Sequence, residues 1–217
     1  MKLSKRMSRL GTETAFEVLA KAKALEAQGH EIIHLEIGEP DFDTPLNVVE
    51  AGVTALRGGH THYTPAAGIL PLRQAIADEV ATTRGIPVHP DQVVVVPGGK
   101  PIMFFALLAL CEAGDEVIYP NPGFPIYESM INFAGAKAVP IPLRMENDFG
   151  LDVDELASLV TDRTKLIILN SPANPTGGVV SAEQLARVAE VAQARGIPVL
   201  SDEIYCRLLY DDTFASI

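Results

Sequence analysis

Leu166-Ile167-Ile168-Leu169, then Asn170-Ser171-Pro172-Ala173-Asn174-Pro175-Thr176-Gly177, then a helical stretch from Ser181 to Arg195, then Pro198-Val199-Leu200 running into Ser201-Asp202-Glu203-Ile204-Tyr205: this succession decides the fold. Each apolar run is short, rich in branched side chains and closed by Asn, Pro, Gly or Asp, which is how a buried strand ends. A strand, a turn, a helix and a second strand make one βαβ unit. The alternation continues upstream, with Val93 to Val96, Glu116 to Tyr119 and Ala138 to Ile141 reading as strands. Pro101 to Cys111, Pro125 to Ala134 and Val153 to Val160 read as the helices between them. Strands that alternate with helices predict an α/β fold with a mostly parallel sheet and helices on both faces.

Ahead of that region the period is helical. Residues 14 to 28 carry apolar side chains at helical spacing and stop at Gly29, a suitable C-cap residue. Asn47 to Arg57 and Leu70 to Arg84 are further helices, the second opened by Pro71 where a missing N–H costs nothing. Ile32 to Ile37 reads as a short strand that breaks at Gly38-Glu39-Pro40-Asp41, and a boundary between an N-terminal element and the α/β region is expected near Thr44 to Asn47.

Composition narrows the function. The 217 residues suffice for one sizeable core or for one domain and part of another. A net charge of −11 argues against binding a phosphate backbone, which needs clustered Lys and Arg. The basic residues before Arg9 are followed by Gly11 to Glu17 rather than an apolar core, and Pro101 to Cys111 is too short to span a bilayer. A cytoplasmic protein without membrane or nucleic-acid partners is expected. Cys111 and Cys206 have no metal-ligand spacing and read as packed thiols. His60 and His62 lack the acidic partners that would suggest a metal.

Ligands of a parallel sheet collect beyond the carboxyl ends of its strands, so site residues should follow strands directly. Gly98-Gly99, Asn121 to Phe124, Ser171 to Gly177 and Asp202 to Tyr205 all do so. Taken together, the Asn-Pro-Thr-Gly and Ser-Asp-Glu-Ile-Tyr segments resemble the pyridoxal-phosphate aminotransferases of fold type I. The resemblance runs from the N-terminal helix to Asp211, with its motifs in family order. It implies an incomplete three-layer sheet of that transferase type. Residues 1–45 would form an N-terminal arm and small-domain segment, and 46–217 the large cofactor-binding domain.

The resemblance also gives residues roles. Asp202 matches the carboxylate that pairs with the protonated ring nitrogen of the cofactor and keeps the ring electron-withdrawing. Alone, Asp202 ahead of Glu203-Ile204-Tyr205 reads as a helix N-cap; Tyr205 three positions on and Asn174 upstream favour the cofactor contact. Tyr205 and Asn174 match the donors to the phenolic oxygen, whose ionised form they favour, and Asn174 is also counted among the substrate contacts. Phe124 matches the ring stacked on the cofactor face.

Gly99 and Lys100 open a helix whose N–H groups suit a phosphate. Lys100 also matches a position where some relatives recognise an acidic substrate side chain. Ile37 to Pro45 resembles a motif of one large subgroup, which gives Gly38 a contact to the substrate carboxylate. Tyr63 matches a tyrosine that reaches the phosphate of the neighbouring subunit, implying a homodimer with shared active sites.

No catalytic residue is expected within this chain, because the family's cofactor-bonding lysine falls further along, beyond residue 217. The implied reaction moves an amino group between an amino acid and a 2-oxo acid through pyridoxal 5'-phosphate, with a preference for aspartate and glutamate. A lyase of the same fold is the alternative, as is an inactive fragment or binding module if the chain ends at 217.

Overall fold

The computed structural model describes residues 2–11 and 14–217, with the chain gathered into two compact units. One unit is Glu13–Pro97. Its helices are α1 (Thr14–Glu26), α2 (Leu46–Arg57) and α3 (Leu70–Arg84). The ends of α3 follow local chemistry, with Pro71 in its first turn and Gly85 closing it at φ 69°, a conformation only glycine adopts freely.

Two expected strands do not form in this unit. Residues 32–37 pair with no other strand among the described residues, and Ile33 and Leu35 stand 84% and 88% exposed. Residues 93–96 make a local turn bond, from the Val93 N–H to the Pro90 carbonyl, and one longer-range bond, from the Val95 N–H to the Ala67 carbonyl, instead of a ladder. Both segments are apolar enough for a strand. A strand, however, also needs a neighbour to satisfy its backbone groups, and apolar character does not supply one.

The other unit contains Gly98–Ile217 together with the described part of Met1–Thr12. Its strands are β1 (Glu116–Asn121), β2 (Lys137–Pro142), β3 (Thr164–Asn170) and β4 (Val199–Asp202), all parallel, in the order β2-β1-β3-β4. Its helices are α4 (Lys100–Leu110), α5 (Ile126–Ala134), α6 (Val153–Leu159) and α7 (Ala182–Arg195).

Strand periodicity splits the core into two layers. Val117, Tyr119, Leu166 and Ile168 pack with residues of α4 and α5 on one face, including Met103, Leu107, Tyr127 and Ile131. Their neighbours Ile118, Ile167 and Leu169 pack with Leu156, Leu185 and Val188 of α6 and α7 on the other. A strand buried on both faces reads as an unbroken apolar run, which is why Leu166 to Leu169 was legible. The result is the expected helix–sheet–helix architecture.

Loops into the second layer are capped locally. Ser181 Oγ accepts the Gln184 N–H at 3.2 Å while Gln184 Oε1 accepts the Ser181 N–H at 2.9 Å, a reciprocal cap that starts α7. Cys111 is buried, which pushes its thiol pKa up, and neither cysteine is in a disulfide. No helix among the described residues is long and apolar enough to cross a membrane.

Candidate functional site

In the order β2-β1-β3-β4, the connection out of β1 runs to one side and the connections into β3 and β4 run to the other. The carboxyl ends of β1 and β3 therefore flank a crevice. The last residues of β1, β3 and β4 are Asn121, Asn170 and Asp202, all polar and all at the same end of the sheet. Asn170 and Asp202 are direct partners in the β3–β4 register.

Beyond these ends lies a cavity of about 440 Å³, within the range of small-molecule sites. Gly99, Lys100, Phe124, Asn174, Asp202 and Tyr205 all line it. Every site residue expected in this unit is thus brought to one cavity. Gly38 and Tyr63 belong to the other unit, where both are exposed and Tyr63 projects fully into solvent.

Asp202 is held from two directions. Its Oδ2 accepts the Tyr127 hydroxyl at 2.8 Å, and its Oδ1 accepts the Ile204 N–H at 3.3 Å. The cap reading of Asp202 is thus correct for one oxygen, although a turn follows rather than a regular helix. Tyr127 has no exposed surface; burial first, and the Asp202 carboxylate second, push its phenol far above the ordinary range. The hydroxyl therefore keeps its proton and acts as a hydrogen-bond donor.

The loop after β3 closes on the same point. The Asn174 amide lies 3.5 Å from the Tyr205 hydroxyl, so the two donors expected for one oxygen meet in space although 31 residues apart. Their meeting depends on Asn170, which is buried. Its Oδ1 accepts the Asn174 N–H at 2.8 Å, and its Nδ2 donates to the carbonyls of Pro172 and Asp202 at 3.2 and 3.1 Å. Asn170 thus ties the Asn174 loop to the strand end that carries Asp202.

Phe124 is half-buried and meets Tyr127 edge to face, with centroids 5.9 Å apart at 84°. Its position depends on Gly123, where any Cβ would stand 2.3 Å from the Pro120 carbonyl oxygen. On the facing wall, Gly98 turns the chain at φ 95° and Gly99 caps α4. Lys100 opens the helix and lines the cavity, which puts the positive end of α4 at the cavity edge.

Sequence reasoning passed over Tyr127 and Asn170. Asn170 closes a quoted strand and could have been read as a turn organiser. For Tyr127 the signal was its place one helical turn after Phe124. Among the described residues, no group of three or more His, Cys, Asp or Glu side chains is placed to hold a metal.

Residues 30–217 match the family of aminotransferases, class I and II. The chain is 41% identical over 97% of its length to the "Probable aspartate/prephenate aminotransferase" of Aquifex aeolicus, of which it covers 53%. It is 39% identical, with the same shares covered, to the aspartate aminotransferase of Bacillus subtilis. The solved aspartate aminotransferase of Thermus thermophilus with maleate superposes on all of the chain at a TM-score of 0.96 and 39% identity, the chain covering 56% of it. The chain therefore spans about half the length of these relatives.

Proposed function

The chain belongs to the class I and II aminotransferases, and from that premise we propose that the protein transfers amino groups between an amino acid and a 2-oxo acid with pyridoxal 5'-phosphate. One observation carries the reading: six residues expected from the sequence to hold this cofactor line a single cavity at the carboxyl end of the sheet.

The donor set fits the cofactor. A carboxylate, Asp202, suits a protonated ring nitrogen; the paired Asn174 and Tyr205 suit an ionised phenolic oxygen; Phe124 offers a ring face. Gly99 and Lys100, at the start of an eleven-residue helix, suit a phosphate. Pyridoxal phosphate supplies, when bound, an electron sink for charge developing at the substrate α-carbon. The chain's own part is to orient and to hold charge. Asp202 keeps a negative charge at the ring-nitrogen position, Tyr205 and Asn174 donate to the oxygen, and the apolar wall of Ile102, Met103 and Leu200 excludes water.

The proposal extends to the residues outside this unit. Gly38 contacts the substrate carboxylate through its backbone. Tyr63, fully exposed, serves the phosphate of a neighbouring subunit in a cytoplasmic homodimer. Residues 1–45 supply an arm and small-domain segment, and 46–217 belong to the large domain. Lys100 favours substrates with a second carboxylate, as aspartate and glutamate have, which agrees with the names of the relatives above.

The test is amino transfer from aspartate to 2-oxoglutarate by the complete natural protein and its Asp202→Ala variant. We expect transfer by the parent and a loss of two orders of magnitude or more in the variant. A variant turning over near the parent rate rules out the ring-nitrogen role.

A further inference from the structure

Asp202 stands at the end of a strand, where a carboxylate turns about two side-chain torsions, the second of them broad. Pairing one oxygen with a ligand's N–H requires that rotation to be stopped. The turn N–H of Ile204, at 3.3 Å, is a long bond and restrains only Oδ1. The restraint on Oδ2 comes from α5, 75 residues away in the chain, through the 2.8 Å bond from the Tyr127 hydroxyl.

Tyr127 is itself held by packing. Its side chain is fully buried among Met103, Val117, Ile131 and Ile168, and its backbone N–H donates to the Phe124 carbonyl at 3.1 Å. A carboxylate has about four lone-pair directions, so the two bonds leave room for a third donor from the cavity.

We propose that Tyr127 is a positioning residue: its hydroxyl fixes the Asp202 carboxylate in the orientation that receives the cofactor's ring nitrogen, so that the first turn of α5 and the residues leading into it set both the charge and the stacking ring, Phe124. This rests on the pyridoxal phosphate reading of the cavity. It differs from a packing role, because a phenylalanine at 127 would fill the same space and lose only the hydroxyl.

The experiment loads the complete natural protein with pyridoxal phosphate labelled with ¹⁵N in the ring, and records the ring-nitrogen resonance and the dissociation constant. Parent, Tyr127→Phe, Asp202→Asn and a protein carrying 3-fluorotyrosine at 127 are compared. The parent and the fluorotyrosine protein, which both keep the hydroxyl, should show a protonated ring nitrogen and equal affinity. Tyr127→Phe should bind about tenfold more weakly, with its resonance moved towards the unprotonated position, and Asp202→Asn further still.

A Tyr127→Phe protein within twofold of the parent and with an unmoved resonance overturns the inference, provided Asp202→Asn is affected. An equal loss in the fluorotyrosine protein also overturns it, since the hydroxyl is then not the agent. If Asp202→Asn matches the parent, it is the underlying reading of Asp202 that fails.

Discussion

Replacing Glu116 by Gln should remove a pH-dependent part of the protein's stability while leaving the cavity intact. Glu116 begins β1 with only 2% of its surface exposed, at the end of the sheet opposite the cavity. Its carboxylate accepts Thr161 Oγ1 at 2.7 Å, Lys137 Nζ at 3.0 Å and Arg163 Nη2 at 2.7 Å, joining the start of β1 to the start of β2 and to the turn before β3. The Thr161 hydroxyl bond first, then the Lys137 and Arg163 contacts, hold its pKa at about 2 instead of 4.5.

At 1.36 kcal/mol for each pH unit, that difference corresponds to about 3 kcal/mol of stability. Lys137 and Arg163 are themselves 65% and 66% exposed, so solvent screening brings the expected loss nearer to about 2 kcal/mol. The sign follows from the lowered pKa. The stabilisation is complete above pH 4.5 and disappears as pH falls towards 2, where the carboxylate takes up its proton in the folded state.

Urea denaturation followed by circular dichroism, on parent and Glu116→Gln across pH 2.5 to 7, measures the gap. It should be widest and flat above about pH 5, and close at the acid end. A gap that stays constant over the whole range, or is below about 0.5 kcal/mol at pH 7, would refute this account of the cluster.

Three further outcomes are expected. Asn174→Ala should weaken pyridoxal phosphate binding about five- to tenfold, in line with about 1 kcal/mol for one lost hydrogen bond, as read by equilibrium dialysis; unchanged affinity would remove Asn174 from the site. Gly123→Ala forces a Cβ to 2.3 Å from the Pro120 carbonyl, so the turn carrying Phe124 must shift. Thermal unfolding should show a loss of about 1–3 kcal/mol together with weaker cofactor binding, and a neutral result would contradict the close approach. Lys100→Ala should raise KM for dicarboxylic amino acids about tenfold and leave a monocarboxylic donor less affected; equal changes for both would separate Lys100 from side-chain recognition.

What the sequence made legible was what local chemistry determines. α3 runs from Leu70 to Arg84, the limits expected from the sequence, because Pro71 at its start and Gly85 at its end act on their own backbone. The four sheet strands were readable because each carries an apolar run, although β1 and β2 extend beyond the runs themselves to Asn121 and Pro142. Residues 32–37 and 93–96 carry similar runs without becoming strands, since pairing belongs to the fold and not to the segment.

The site divides in the same way. Asp202, Tyr205 and Asn174 were visible as motifs at strand ends. The bond from Tyr127 to Asp202 spans 75 residues, and the Asn170 bond to the Asp202 carbonyl spans 32; neither leaves a local pattern.

The most direct test of the central claim is the intact mass of the natural protein after incubation with pyridoxal phosphate and borohydride reduction, followed by peptide mapping. The account predicts one cofactor fixed per chain, on a lysine other than Lys100. No adduct, or an adduct on Lys100 itself, would contradict it.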